Sequence, residues 1–321
     1  MGTQQQEERN RKNIMDKIWD EVKKINWAEI NEQCDKNFLI GLVGNTAQIQ
    51  EMVKWLGSFD YSLAIERKAG VKEEQLKIDK SIKEHIVKIN IAKEVDEKLI
   101  KNLNFCLVDE SSIDFAKKNN VKYFLFQNND KELAPRILSN HNEINFALSN
   151  NFSVFRCPFS NSVINSTSIQ NASWAVVTAS PNLVPGPHQV VTAPVEAISD
   201  FTVLTANEVK MLFELVGLTG HRVNPLTCLF EFGVILLFAN LAKAVATNIG
   251  GKVPAGAGLV TKGSVSYAFT KAIGEALFFY ITTGEKVGKE FFEKRIKELV
   301  EQSKEIIENM IAKIKGNKGS K

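Results

Sequence analysis

The chain has 321 residues, of which 44% are hydrophobic and 24% are charged, and its formal net charge is +3. These values are typical of a globular protein long enough for two domains, and they exclude a disordered chain. Because the net charge is small, no strong field toward nucleic acid is expected, and no nucleic-acid partner is predicted.

The first 36 residues are predicted to form an N-terminal helix. Apolar residues repeat at helical spacing between Ile14 and Ile25, within a predicted helix at Asn10–Gln33. The preceding residues are polar and lack the apolar stretch of a secretory signal.

Strand and helix patterns alternate over residues 37–157. Five apolar runs predict strands, at Phe38–Val43, His85–Ile91, Phe105–Val108, Lys122–Phe126 and Phe152–Phe155. Stretches between them predict helices, at Gln48–Leu56, Asp96–Asn102, Ser112–Asn119 and Asp130–Ser139. Strands that alternate with helices need crossover connections, so a Rossmann-like α/β domain with a mostly parallel sheet is predicted.

Residues 158–321 are predicted to form an all-α domain with a long C-terminal helix. The predicted helices are Ser160–Ala179, Thr205–Gly217, Pro225–Asn248, Lys262–Tyr280 and Lys286–Lys315. A proline-rich loop is predicted at Ser180–Pro194. Asp200, Thr205 and Asn207 are interpreted as capping residues at the start of the second helix.

The Pro225–Tyr280 region is apolar enough to raise the question of a membrane. Its most apolar run, Phe232–Ala242, is bracketed by Glu231 and Lys243, whereas a membrane span needs about 20 residues. Buried core helices are therefore the favoured interpretation. Two alternatives remain: a helical hairpin that lies at the surface of the inner membrane or inserts into it conditionally, and a true membrane span.

The four cysteines are far apart and form no Cys-x-x-Cys pair. This pattern favours a reducing, cytoplasmic location and predicts no metal site. The histidines show no metal-binding spacing, and no nucleophile motif indicates a catalytic residue.

A candidate nucleotide site begins where the first predicted strand enters Gly44, Asn45 and Thr46 and a helix follows. This layout is typical of a phosphate-binding loop, in which amides at a helix N-terminus hold the phosphates. The Lys and the Ser/Thr of that motif are replaced by Gln50 and Glu51.

The same stretch also fits an ordinary helix start. Asn45 is followed three residues later by Gln48, which predicts a capping box in which each side chain binds the other residue's amide. This interpretation is favoured over a working phosphate site.

Two acidic residues follow later strands, where a GTPase carries its remaining motifs. Asp109 lies at the position of the metal-linked Asp of an Asp-x-x-Gly motif, but Ser112 replaces the Gly. Asp130 lies where the guanine-reading Asn-Lys-x-Asp motif ends. An Asp after a strand is also a common helix cap. The predicted vestigial nucleotide site comprises Gly44, Asn45, Thr46, Asp109 and Asp130.

Three segments resemble the YcjF-type domain of unknown function that follows Era-like GTPase domains in many bacterial proteins. They are Asn151–Phe159, Ala193–Gly220 and Gly250–Val287. The similar features are a Phe-Arg-x-Pro segment, an Asp-x-x-x-Leu-Thr-x-Asn segment and a Pro-Gly-rich turn before an Ala/Gly helix. Glu208 departs from the usual Gln, and Ala255 stands where the family often has Gly.

The resemblance implies that residues 37–157 descend from a P-loop GTPase domain. Carried over by position, only Gly44, Asp109 and Asp130 match. We therefore predict a non-catalytic pseudo-GTPase without a cofactor, which binds a protein partner or forms a homo-oligomer. Two alternatives stay open: a switch that binds GTP and Mg²⁺ through an atypical loop, and a membrane-remodelling helical protein.

Overall fold

The computed structural model describes residues 16, 19–58, 71–91, 97–178, 193–225, 228 and 258–316. The chain divides into two compact units. The helical unit comprises Met1–Trp27, Ser162–Leu215 and Val223–Lys321, and the α/β unit comprises Ala28–Asn161 and Val216–Arg222.

The α/β unit contains a sheet of four parallel strands in the order β2-β1-β3-β4. The strands are β1 (Ile40–Gly44), β2 (Ile86–Asn90), β3 (Phe105–Val108) and β4 (Tyr123–Leu125). Strands β1 and β3 are buried along their whole length, which explains their uninterrupted apolar sequence. The chain adds β2 on one side of β1 and β3 on the other, so the strand order reverses beside β1. The predicted parallel α/β sheet is confirmed.

Short helices connect and flank these strands. They are α1 (Trp27–Cys34), α2 (Thr46–Leu56), α3 (Val71–His85), α4 (Glu97–Lys101), α5 (Ile113–Lys118), α6 (Leu133–Asn140) and α7 (Asn145–Asn151). Alternate strand residues contribute to separate hydrophobic clusters, because successive side chains point to opposite faces of a sheet. Leu42 and Phe105 belong to the larger cluster, and Val43 and Cys106 belong to the smaller one.

The predicted helix at Asn10–Gln33 is interrupted. Residues 19–22 are helical, a turn follows at residues 23–26, and α1 then begins at Trp27. The residues before 16 lie outside the described part of the chain.

The strand predicted at Phe152–Phe155 is wrong. Residues Ser153–Phe155 form a 3₁₀ turn one residue after the end of α7. The side chains of Phe152 and Phe155 are both fully buried. The tight turn brings side chains three residues apart onto one side, whereas a strand would point them to opposite faces. The Ser153 hydroxyl donates to the Gly57 carbonyl at 3.0 Å, which anchors this turn.

Four long helices make up the rest of the described chain, which confirms the helical character of the second half. They are α8 (Arg156–Thr178), α9 (Ala193–Leu218), α10 (Gly258–Thr283) and α11 (Lys289–Gly316). The sequence-based prediction that three residues cap a helix is wrong. Helix α9 begins earlier and includes all three, Asp200, Thr205 and Asn207. Thr205 is buried within this helix.

Helix α10 approaches its neighbours in the helical unit closely through its glycines. A Cβ atom on Gly274 would lie 2.8 Å from atoms of Ile164 on α8 and 3.0 Å from the Met211 sulfur on α9. An ion pair also joins α10 to α11: the Arg295 guanidinium of α11 donates two hydrogen bonds, of 2.7 and 2.8 Å, to the Glu275 carboxylate of α10.

Most of the predicted Pro225–Asn248 helix lies outside the described residues, so its membrane alternative stays a prediction. The predicted loop at Ser180–Pro194 also lies outside them, except for its last two residues, which begin α9. In the part of the chain that is described, no helix combines the length and apolar character that crossing a membrane requires.

Candidate functional site

The carboxyl ends of β1 and β3 form the candidate site. Gly44 ends β1 and Asp109 directly follows β3, and these two parallel strands are neighbours in the sheet. A Cβ atom on Gly44 would lie 2.9 Å from Gln48 Oε1 and 3.4 Å from Asp109 Oδ1. Ligands of open α/β sheets bind outside the carboxyl ends of the strands where the strand order reverses, so this position is the expected one for a ligand.

Asn45 begins helix α2 with the predicted capping box, which is confirmed. Its side-chain oxygen accepts a hydrogen bond of 3.0 Å from the Gln48 amide. In return, Gln48 Oε1 accepts a hydrogen bond of 2.7 Å from the Asn45 amide. These are amides at a helix N-terminus of the kind that a bound phosphate would need, and protein groups already satisfy them.

Gln48 also joins the helix start to the end of β3. Its Nε2 donates to Asp109 Oδ2 at 2.7 Å. The hydroxyl and the amide of Ser111 donate to the same oxygen at 2.6 and 3.1 Å, and the Ser112 hydroxyl donates to Oδ1. The Asp109 carboxylate therefore receives hydrogen bonds on both oxygens.

These hydrogen bonds stabilise the charged form of Asp109. Partial burial raises the pKa of its carboxyl group, but hydrogen bonds from Ser111 and Ser112 outweigh burial, so the pKa lies below its usual value. Asp109 is thus negatively charged at neutral pH. A negative charge near the N-terminus of α2 complements the helix dipole and repels a phosphate group.

The Asp130 carboxylate stabilises the turn that leads into α6. Its Oδ1 accepts a hydrogen bond of 2.9 Å from the Glu132 amide, and its Oδ2 accepts one of 2.7 Å from Arg136 Nη2. Both oxygens are therefore engaged where the chain enters α6. Thr46, the first residue of α2, is exposed.

The structure thus brings Gly44, Asn45 and Asp109 together through Gln48. The sequence assigns Gln48 to the capping box alone and leaves out Ser111. The signal for Ser111 is local, because a serine shortly after an aspartate commonly closes a side-chain turn. The contact between Gln48 and Asp109 carries no such signal, since it depends on the pairing of β1 with β3.

Two buried cysteines in the α/β unit are poorly suited to thiolate chemistry. Burial raises the pKa of the Cys34 and Cys106 thiols to about 12, so both stay protonated at neutral pH. Among the described residues, no three His, Cys, Asp or Glu side chains come together to hold a metal ion.

Comparison of this chain with protein-family models, curated proteins and solved structures found no match.

Proposed function

We propose that this protein is a non-catalytic, pseudo-GTPase-like protein that acts by binding a protein partner or by self-association. The observation that carries this proposal is the hydrogen-bonded chain Asn45–Gln48–Asp109 at the carboxyl ends of β1 and β3. These side chains engage two helix-start amides, those of Asn45 and Gln48, and the carboxylate that a GTPase would offer to Mg²⁺.

The charges around α2 support the absence of catalysis. Phosphoryl transfer depends on neutralising the phosphate charge, chiefly with a Lys and a metal ion. The position of that Lys holds Gln50, and the next position holds Glu51, an exposed acidic residue of α2. Together with Asp109, Glu51 makes the surroundings of the helix start more negative.

A P-loop GTPase ancestry of the α/β unit belongs to the same proposal. The parallel sheet, and the turn from β1 directly into a capped helix, support it. The similarity of Asn151–Phe159 and later segments to the YcjF-type domain adds support from the sequence. A cytoplasmic location, favoured by the cysteine pattern, is also part of the proposal.

Isothermal titration calorimetry with GTP and Mg²⁺ tests the non-catalytic part. We expect no saturable binding at micromolar nucleotide, and micromolar affinity would overturn the proposal. A phosphate-release assay covers the switch alternative: release that disappears in both Asp109→Ala and Asp130→Ala would establish hydrolysis at this site. We expect no release above that of a blank without protein.

Sedimentation velocity distinguishes the two modes of association. A sedimentation coefficient that increases with protein concentration supports self-association, and a constant monomer value assigns the function to a partner of a different sequence. GTP and Mg²⁺ added to the same samples should leave the distribution unchanged. A nucleotide-dependent shift would favour the switch alternative.

A further inference from the structure

Buried polar side chains connect three helices of the helical unit, away from the candidate site. Asn171 of α8, Thr270 of α10 and Glu208 of α9 are 0%, 1% and 6% exposed, respectively. Asparagine and glutamate are seldom buried to this extent, and a buried carboxylate normally has a positively charged partner. The surroundings of Glu208 therefore need a physical explanation.

The hydrogen bonds of this cluster run in one direction and end on Glu208. The Asn207 side-chain amide donates to Asn171 Oδ1 at 2.7 Å, and the Asn171 amide donates to Thr270 Oγ1 at 2.9 Å. Because the Thr270 oxygen accepts this bond, its hydroxyl hydrogen is available to Glu208 Oε1, which lies 3.4 Å away. The partner of this carboxyl oxygen is thus a neutral hydroxyl.

The described charged groups on the surrounding helices are exposed or engaged elsewhere. Helix α8 has no charged residue after Arg156. On α9, Lys210 lies 3.6 Å from Glu214. The charged groups of α10 are Lys262, which is exposed, Lys271, which lies over the Tyr267 ring, and Glu275, which pairs with Arg295 of α11.

Burial in these surroundings favours the neutral form of Glu208. It raises the pKa of the carboxyl group to about 8, although the Thr270 hydroxyl opposes the increase. In most molecules with the closed structure, the Glu208 carboxyl group is therefore protonated at neutral pH. Glu214 is partly buried and its pKa is raised as well, but Lys210 limits that increase.

We propose that Glu208 makes the α8–α9–α10 interface pH-sensitive: the closed interface is favoured while its carboxyl group holds a proton, and loss of that proton shifts the equilibrium toward the open interface. On opening, the carboxyl O–H gives its proton to water, and the carboxylate that remains becomes hydrated. Among the described residues, the closed interface offers this carboxylate only the hydrogen bond from Thr270, whereas water solvates it fully.

The size of the effect follows from proton linkage. The carboxyl pKa changes from about 8 in the closed interface to the ordinary 4.5 in the open one. Protons are then bound more tightly in the closed form, so opening becomes more favourable as the pH increases from 4.5 to 8. Between pH 6 and pH 8 the opening equilibrium constant should increase roughly 50-fold.

Hydrogen exchange of the α10 amides near Thr270, corrected for the intrinsic pH dependence of exchange, measures this opening. In the unmodified chain the protection factors should fall roughly 50-fold between pH 6 and pH 8. In Glu208→Gln, which keeps the shape and removes the ionisable group, this component should disappear. Glu305→Gln on the exposed face of α11 removes the same charge and should keep the full pH dependence.

A second measurement can be made on the unmodified chain, so its result does not depend on how a variant folds. In the unmodified chain, the ¹³C resonance of the Glu208 carboxyl group should titrate with a midpoint near 8. In Thr270→Val the midpoint should move higher, because the hydroxyl that stabilises the charged form is lost. A midpoint near 4.5 in the unmodified chain, or equal pH dependence of protection in Glu208→Gln and the unmodified chain, would overturn the proposal.

Discussion

Replacing Gln48 by Ala tests the link between helix α2 and strand β3. The substitution removes the hydrogen bond from the Asn45 amide at 2.7 Å and the one to Asp109 Oδ2 at 2.7 Å. The first is exposed and contributes about 0.5 kcal/mol. The second involves a charged, partly buried acceptor, and solvent screening reduces its contribution to about 1.5 kcal/mol. Alanine recovers about 0.3 kcal/mol through its higher helix propensity.

The free energy of unfolding of the α/β unit should therefore fall by about 1.5–2 kcal/mol in Gln48→Ala. Gln50→Ala makes the same chemical change at an exposed position of the same helix, and it should alter stability by less than about 0.5 kcal/mol. A double-mutant cycle of Gln48→Ala with Asp109→Ala should give a coupling energy of about 1 kcal/mol.

Urea denaturation followed by the fluorescence of Trp55 reports on this unit. The Trp55 side chain, on α2, is buried against the core residues Phe126 and Phe155. The other tryptophans, Trp19, Trp27 and Trp174, are partly exposed and can be replaced by Phe to isolate the signal. If Gln48→Ala and Gln50→Ala have the same effect within error, the side chain of Gln48 does not hold the site together.

Gly274→Val should destabilise the helical unit by several kcal/mol, because a Cβ atom at this position would already lie 2.8 Å from Ile164. Thermal denaturation should show a loss of stability in Gly274→Ala and a larger loss in Gly274→Val. An unchanged transition temperature in the valine variant would contradict this packing. Burial lowers the pKa of His141, which lies against Phe105 and Phe124, although Glu143 opposes the decrease. The unfolded chain therefore binds a proton more readily, so His141 should make the α/β unit less stable as the pH falls below about 6.5. Urea denaturation between pH 7 and pH 5 should show a smaller loss in His141→Phe, and an equal loss would assign the pH dependence to other groups.

Local patterns predict the strands and the helix start well. Strands β1 and β3 are buried on both faces, so their apolar runs have no interruption that would obscure them. Asn45 and Gln48 form their capping box within four consecutive residues, and the sequence is sufficient to predict it. Local patterns fail at Phe152–Phe155, because a short apolar run fits a strand and a buried 3₁₀ turn equally well.

Contacts between distant parts of the chain account for what the sequence does not predict. Gln48 and Asp109 are 61 positions apart, and Asn171 and Thr270 are 99 apart. Neither pair has a local signal, since each depends on how strands pair or helices pack. The sequence places Glu208 in a helix, but it does not indicate that the carboxyl group is buried beside a threonine hydroxyl.

Nuclear magnetic resonance of the backbone amides, recorded while GTP and Mg²⁺ are added to millimolar concentration, examines the carboxyl ends of β1 and β3 residue by residue. If Asn45, Gln48 and Asp109 satisfy one another in place of a nucleotide, the amides of Asn45, Gln48 and Ser111 should keep their positions throughout the titration. Saturable shifts of these amides at micromolar nucleotide would show that the site still binds GTP and would contradict the pseudo-GTPase proposal.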